Sequence, residues 1–297
     1  MIKLFWNTHN QSNSNSNDKK VTKQEEMNFA WGLYHKKNSD KWIYEILKKI
    51  EYSIIENETQ IEKGDTLIII DSSVEKKAEF YVKLRLICSK IFLIHLGDET
   101  GEYDLSTVYR NCEHVWRTFC SNKYFQNDKV TCIPIGYKSG VLNLNKNNRK
   151  YKWAFVGTPH KSSRHDLLYQ LSTIKPFFCH KTEKFNQKII SVNEMSEILS
   201  STTFIPCANG FFHPETYRLY EALECGCIPI VENSYKYYDR LFPVNPFIKI
   251  DKWIDAKSII SKWNDEQIKT KQDACNVWWK DYKLQLQESI KSKVQKK

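Results

Sequence analysis

The chain has no C-x-x-C pair, no D-x-D tripeptide and no apolar run longer than a short strand. Each absence excludes something. A structural zinc site needs four ligands at suitable spacing, and the nine cysteines, scattered over 297 residues, offer none. Free thiols in a reducing compartment are the simplest account of an odd, dispersed set. The longest apolar stretches, TLIII and IFLI, fall far short of the roughly 20 residues that a membrane-spanning helix requires. The opening MIKLFWNTHN is too short and too polar for a signal peptide. The net charge of +10 comes without zinc-finger spacing or an aromatic RNA-recognition motif. Its lysines are spread along the chain and densest at the end, KSKVQKK, so nucleic acid is not an expected partner. A basic surface equally suits an anionic nucleotide or peripheral contact with an anionic membrane.

What is present is a globular balance of 41% hydrophobic and 27% charged residues, in a chain long enough for two domains of ordinary size. MIKLFW reads as an opening strand, followed by a polar low-complexity loop over Gln11–Lys20. Helical periodicity runs over Glu25–Lys36 and Lys41–Ile50. Thr66–Asp71 is a near-continuous apolar strand of the kind covered on both faces. A helix over Glu75–Ser89, a strand over Lys90–Glu99 ending in the polar tip HLGDE, and a strand over Val130–Tyr137 complete a first domain, residues 1–140. Residues 141–150, within the Lys- and Asn-rich KSGVLNLNKNNRK, read as a linker to a second domain, 151–297. Strands alternating with helices predict parallel α/β sheets in both.

The second domain centres on FIPCANGFFHPETYRLYEALECGCIPIV, Phe204 to Val231, which reads as strand, loop, helix, stop and strand. Pro214 is placed as a first helical residue, and Gly226 as the left-handed residue that ends the helix. Unpaired N–H groups at such a helix start attract phosphate. Thr216 adds a hydroxyl there, Arg218 can make paired hydrogen bonds to a diphosphate, and Glu221 can accept from both hydroxyls of a ribose. The same spacing also permits a bland alternative, in which Glu215, Arg218 and Glu221 form solvent-facing ion pairs. Upstream, the strand WAFVG ends in a turn at Gly157, and Lys161 and Arg164 place two cations at the next helix start. Cations oppose the helix dipole, so an anionic ligand would compensate them. Beyond Val231, ENSYKYYDRL reads as a helix whose Asn233 can face a ligand. The tail from Ile254 reads as helical, with Trp263, Trp278 and Trp279.

The run ETYRLYEALECGCIPIV resembles the donor-sugar signature of exostosin-type glycosyltransferases, and of the xylosyltransferases related to them. The G-D-E tip, Arg110-Asn111 and the I-P-[IL]-G-Y ending of the first domain are similar too. The resemblance runs over Ile91 to Leu241. It implies two Rossmann-like domains facing a cleft (the GT-B type), with a C-terminal helix crossing back onto the first, packed by its tryptophans. It implies transfer of a sugar, xylose above others, from a UDP-sugar to a hydroxyl of a glycan or glycoprotein acceptor. Gly157, Lys161, Arg164, Thr216 and Arg218 would face phosphates, Glu221 the ribose, and Asn209, Gly210 and His213 the donor sugar. An inverting transferase needs a general base, and Asp98 or Glu99 is placed for it. No cofactor beyond the donor is implied. The missing D-x-D beside a cationic pocket predicts charge neutralisation without a metal. The lack of a membrane segment departs from the anchored animal exostosins and points to a cytoplasmic enzyme, virus- or microbe-encoded. Two rivals stand: a GDP-fucose-dependent fucosyltransferase, whose helix carries T-E-K where this chain has Tyr217, Arg218 and Leu219, and a non-catalytic nucleotide- or glycan-binding protein of the same fold.

Overall fold

The computed structural model describes residues 1–8, 23–145, 148–183 and 190–296. The low-complexity stretch Gln11–Lys20 lies outside the described residues. The chain forms two compact units, residues 1–135 with 287–297, and residues 136–286.

In the first unit, in chain order, lie β1 (Ile2–Asn7), α1 (Lys23–Leu47), β2 (Ser53–Ile55), β3 (Thr66–Asp71), α2 (Ala78–Ile87), β4 (Lys90–His95), α3 (Ser106–Arg110), β5 (His114–Arg117), α4 (Asn122–Phe125) and β6 (Val130–Cys132). The described strands make one parallel sheet in the order β2-β1-β3-β4-β5-β6. Its central strands are fully buried apolar runs, as a sheet covered on both faces requires. The two helical segments expected over Glu25–Ile50 are one helix, because no proline intervenes and Asn38 satisfies Tyr34 O with its side chain. The strand expected to run to Tyr137 ends at Cys132, just before Ile133-Pro134; β2 and β5 carry too short a pattern to be seen in the sequence.

One register row crosses this sheet at its carboxyl edge: Asn7, Asp71, His95 and Arg117, each the last residue of its strand, are paired in turn. All four are polar and buried. Asp71 holds its end of the row by accepting from Asn7 Nδ2 (3.0 Å), Lys77 Nζ (2.9 Å) and the Ser73 backbone N–H (2.9 Å). Beyond the row, Cys120 and Cys132 are joined by a disulfide, Cα–Cα 5.8 Å. The expectation that all nine thiols are free is thus corrected: seven are. The pair forms because β5 and β6 are in register at Arg117 and Cys132, and the chain turns back to Cys120 just past that point.

The second unit holds β7 (Tyr151–Gly157), α5 (Arg164–Leu171), β8 (Phe177–Lys181), α6 (Val192–Ser200), β9 (Thr202–Cys207), α7 (Tyr217–Glu224), β10 (Ile228–Glu232), α8 (Tyr237–Leu241), β11 (Ile248–Ile250), α9 (Trp253–Lys262) and the start of α10 (Asp265–Gln295). Its described strands are again all parallel, in the order β11-β10-β9-β7-β8. The order reverses between β7 and β9, and in open parallel sheets ligands bind beyond the carboxyl ends of strands at that reversal.

The strand–helix–strand at the centre of the sequence is β9-α7-β10, with Gly226 at φ 68° as the left-handed stop. The helix starts later than Pro214 suggests: Thr216 is its N-cap and Tyr217 its first residue. The expected helix over ENSYKYYDRL is broken into a 3₁₀ turn, Ser234–Lys236, and α8, with Tyr235 and Lys236 both at positive φ. Trp278 and Trp279 pack within this second unit, against Phe242, Phe247 and Tyr220, and Trp279 Nε1 donates to Glu224. It is the last turns of α10, from Gln287, that belong to the first unit.

Candidate active site

Three residues expected to face phosphate, one glycine and two arginines, converge at the strand-order reversal of the second unit. Gly157 ends β7 at φ 151°, and a Cβ built there would lie 3.7 Å from Arg164 Nη1. Arg164, the first residue of α5, donates from Nη1 to Thr158 O at 3.0 Å. From the opposite side of the reversal, Arg218 on α7 donates from Nη2 to Val156 O at 3.2 Å and approaches Met195 Sδ at 3.1 Å. Burial, and then the neighbouring Arg218 charge, push the Arg164 guanidinium below its ordinary value. Two guanidiniums held this close in a half-buried place repel one another, and an anion between them would relieve both.

Glu221 lies one turn further along α7. Its Oε2 is 2.8 Å from Arg218 Nη1, at an angle that makes an ion pair rather than a hydrogen bond. The carboxylate is buried, so the bland alternative of a solvent-facing pair does not describe it. Glu215 also leaves that alternative: it precedes the helix, is 2% exposed, and accepts from the phenols of Tyr220 and Tyr237.

The loop after β9 is fixed at both ends. The Asn209 N–H donates to Glu232 Oε2 (3.2 Å) and Asn209 Nδ2 to Ser234 Oγ (2.8 Å), while the Gly210 N–H donates to His213 O (2.9 Å). Between them Phe211 and Phe212 are exposed, edge to face, and the Lys161 ammonium lies 5.7 Å from the Phe211 ring centre. That contact brings the loops after β7 and β9 together. Three buried polar atoms on this edge have no hydrogen-bond partner among the described residues: Asn209 Oδ1, Thr216 Oγ1 and Asn233 Oδ1. Thr216 is an N-cap whose hydroxyl makes no capping bond. Buried polar atoms left unpaired are costly, and a polar ligand at this edge would satisfy them. Among the described residues no group of three or more metal-ligating side chains occurs.

In the first unit the tip after β4 is set by Gly97, where a Cβ would fall 2.1 Å from Ser72 O. Only glycine fits. Asp98 follows at φ 58°. Its Oδ2 accepts from Arg117 Nη2 at 2.9 Å, and its carbonyl accepts from the same nitrogen at 3.0 Å. Both side chains are almost fully buried. Arg117 Nη1 also donates to Tyr109 Oη (2.8 Å) and to His95 Nδ1 (3.0 Å), and its guanidinium sits 4.2 Å from the centre of the Tyr124 ring. Asp98 is thus held as the partner of a buried cation, while Glu99 is half-buried beside it. Arg117 escaped the sequence reading because its partner Asp98 lies 19 residues away, and Glu215 was read there only as part of a solvent-facing ion pair, since its partner Tyr237 lies 22 residues on.

Comparison with known proteins gives a family. A search of curated proteins finds no match. Among solved structures, a crystal structure of an alpha1,3-fucosyltransferase is similar over 96% of this chain and 80% of that one, at 13% identity and a TM-score of 0.42. The family model described as the RXYLT1 C-terminal domain matches residues 137–297, more than half of the chain, and takes in Gly157, Arg164, Arg218 and Glu221. No helix among the described residues is long and apolar enough to cross a membrane. The chain belongs to the RXYLT1 C-terminal domain family and is a glycosyltransferase.

Proposed function

We propose that the protein transfers xylose from UDP-xylose to a hydroxyl of a glycan acceptor, with inversion and without a metal. The observation that carries this reading is the convergence of Gly157, Arg164 and Arg218 where the strand order of the second unit reverses. Arg164, Arg218 and Lys161, with the Thr216 hydroxyl, bind the diphosphate and stabilise the charge that develops on it. Glu221 accepts from the ribose, and Asn209, Gly210 and His213 line the sugar. The acceptor oxygen attacks the anomeric carbon as its bond to the phosphate oxygen breaks, and UDP leaves. The acceptor proton goes to a carboxylate. Arg117 occupies Asp98, which makes Glu99 the better candidate.

The choice of xylose rests on the family match and on the motif ETYRLYEALECGCIPIV. The test is a thermal-shift screen against UDP, GDP and their xylose, glucose, N-acetylglucosamine and fucose conjugates, with and without divalent metal. A ligand at 100 times its dissociation constant should stabilise the fold by about 2.7 kcal/mol. Stabilisation by UDP and UDP-xylose without metal is the expected result. A response to GDP alone would replace this reading with fucosyl transfer, and silence towards every nucleotide would remove it.

A further inference from the structure

We infer that Glu215 is a positioning residue that fixes the tautomer of His213, so that the imidazole presents Nε2–H as a neutral donor to an oxygen of the donor sugar. The second half rests on the donor-site reading above; the first stands on geometry alone. His213 Nδ1 accepts the backbone N–H of Glu215 at 3.1 Å. A ring nitrogen that accepts cannot also carry a proton, so the single proton of a neutral ring sits on Nε2. Protonation at Nδ1 would turn two donors against each other.

What keeps that N–H aimed at the ring is the side chain of the same residue. Glu215 is buried, with Tyr220 donating to Oε1 and Tyr237 to Oε2 (2.9 Å). Tyr238 donates to Pro214 O at 3.0 Å, one residue before. The Tyr237 ring meets the His213 ring edge to face, with centroids 4.6 Å apart. One phenol therefore anchors the carboxylate and packs the imidazole at once. Three tyrosines from α7 and α8 hold a three-residue segment, His213 to Glu215, just ahead of the helix N-cap.

A buried carboxylate with two phenol donors is a costly way to fill space, since an apolar side chain of similar volume avoids the desolvation. The arrangement makes sense if it fixes direction. His213 closes the turn that carries Phe211 and Phe212, and the other side of that turn is tied to β10 through Asn209. Along the chain, the segment lies between Asn209 and Thr216, whose Oδ1 and Oγ1 lack hydrogen-bond partners among the described residues.

The experiment is long-range proton–nitrogen correlation NMR on the full chain with ¹⁵N-labelled histidine, with His213 assigned from the His213→Gln variant. The expected spectrum of the free protein at about pH 8 shows the Nε2–H tautomer of His213. Glu215→Gln and, as a milder second variant, Tyr237→Phe should give a mixed tautomer. An Nδ1–H tautomer in the wild type overturns the positioning role, as does a spectrum unaltered in both variants. For the ligand half, UDP-xylose should shift the His213 Nε2 signal and UDP alone should not. In turnover, Tyr237→Phe should lower kcat by about tenfold, the worth of one hydrogen bond, with the dissociation constant of UDP unchanged. A wild type that shows the expected tautomer but binds no UDP overturns the donor-site reading and leaves the positioning role standing. One that binds UDP-xylose with no shift at His213 overturns the ligand half alone.

Discussion

Arg218 reaches back from α7 to donate to Val156 O at 3.2 Å, across the point where the strand order of the second unit reverses. The same guanidinium pairs with Glu221 at 2.8 Å. It therefore ties the last turn of β7 to the helix, and it brings a second positive charge beside Arg164.

Replacing Arg218 by alanine should weaken UDP binding by on the order of 10- to 100-fold, the range expected for one or two charge-assisted hydrogen bonds. Arg218→Lys should recover only part of it, because the three donors of an ammonium radiate from one nitrogen and cannot reproduce the planar fork that serves the Val156 carbonyl from one nitrogen and a diphosphate from another. Calorimetric titration with UDP checks both. Equal affinity in wild type and Arg218→Ala would sink the donor-site assignment.

Asp98 and Glu99 should part company on mutation. Asp98→Asn leaves the buried Arg117 without its anion and should cost about 3–5 kcal/mol of stability. Glu99→Gln should leave both the melting temperature and UDP affinity where they were, and abolish transfer. Denaturant unfolding and turnover, measured on the same preparations, separate the two. Full activity in Glu99→Gln would exclude it as the base.

The central unit was legible in the sequence because its signals are local. Gly226 stops the helix and CIPIV resumes the strand within a few residues. Its helix start was misplaced because two of the three tyrosine hydroxyls that hold Pro214 and Glu215 come from α8, 22 and 24 residues away. β5, written HVWR, has polar ends and four residues, and only its neighbours β4 and β6 make it a strand. The row Asn7–Asp71–His95–Arg117 is invisible in one dimension, since each member looks like an ordinary polar residue ending an apolar run.

That row makes stability depend on pH. Burial, and then the Arg117 charge, push the His95 imidazole well below its usual value of 6.5. With the folded value depressed, the unfolded chain takes up the proton first. Stability is whole above about pH 6.5 and falls as pH drops beneath it, with His95 contributing up to about 1.4 kcal/mol per pH unit. His114, held down to about 4 chiefly by burial, loses stability in the same window. Denaturation midpoints at several pH values, compared between wild type and His95→Gln, test this. Identical pH slopes would show that His95 is not a source.

The disulfide predicts a thiol count. Unfolded without reductant, the protein should titrate seven thiols, and after reduction nine. Closing a loop with 12 residues of sequence separation should be worth about 3 kcal/mol. Unfolding with and without reductant measures that difference. Nine thiols at the outset would show that the bond does not form.

The helix α10 has a consequence for how the molecule can be taken apart. Its residues up to Leu286 belong to the second unit and those from Gln287 to the first, so the first unit is discontinuous along the chain. No single cut releases it whole. Exchanging the second unit between relatives, by recombination or by engineering, takes two junctions, one beside Gly136 and the other in the middle of a continuous helix. An insertion at the second junction would rotate every later residue of α10 by about 100° for each residue added, and carry Ile290 and Val294 out of their buried places. The two halves of this enzyme are therefore bound to inherit one another's register.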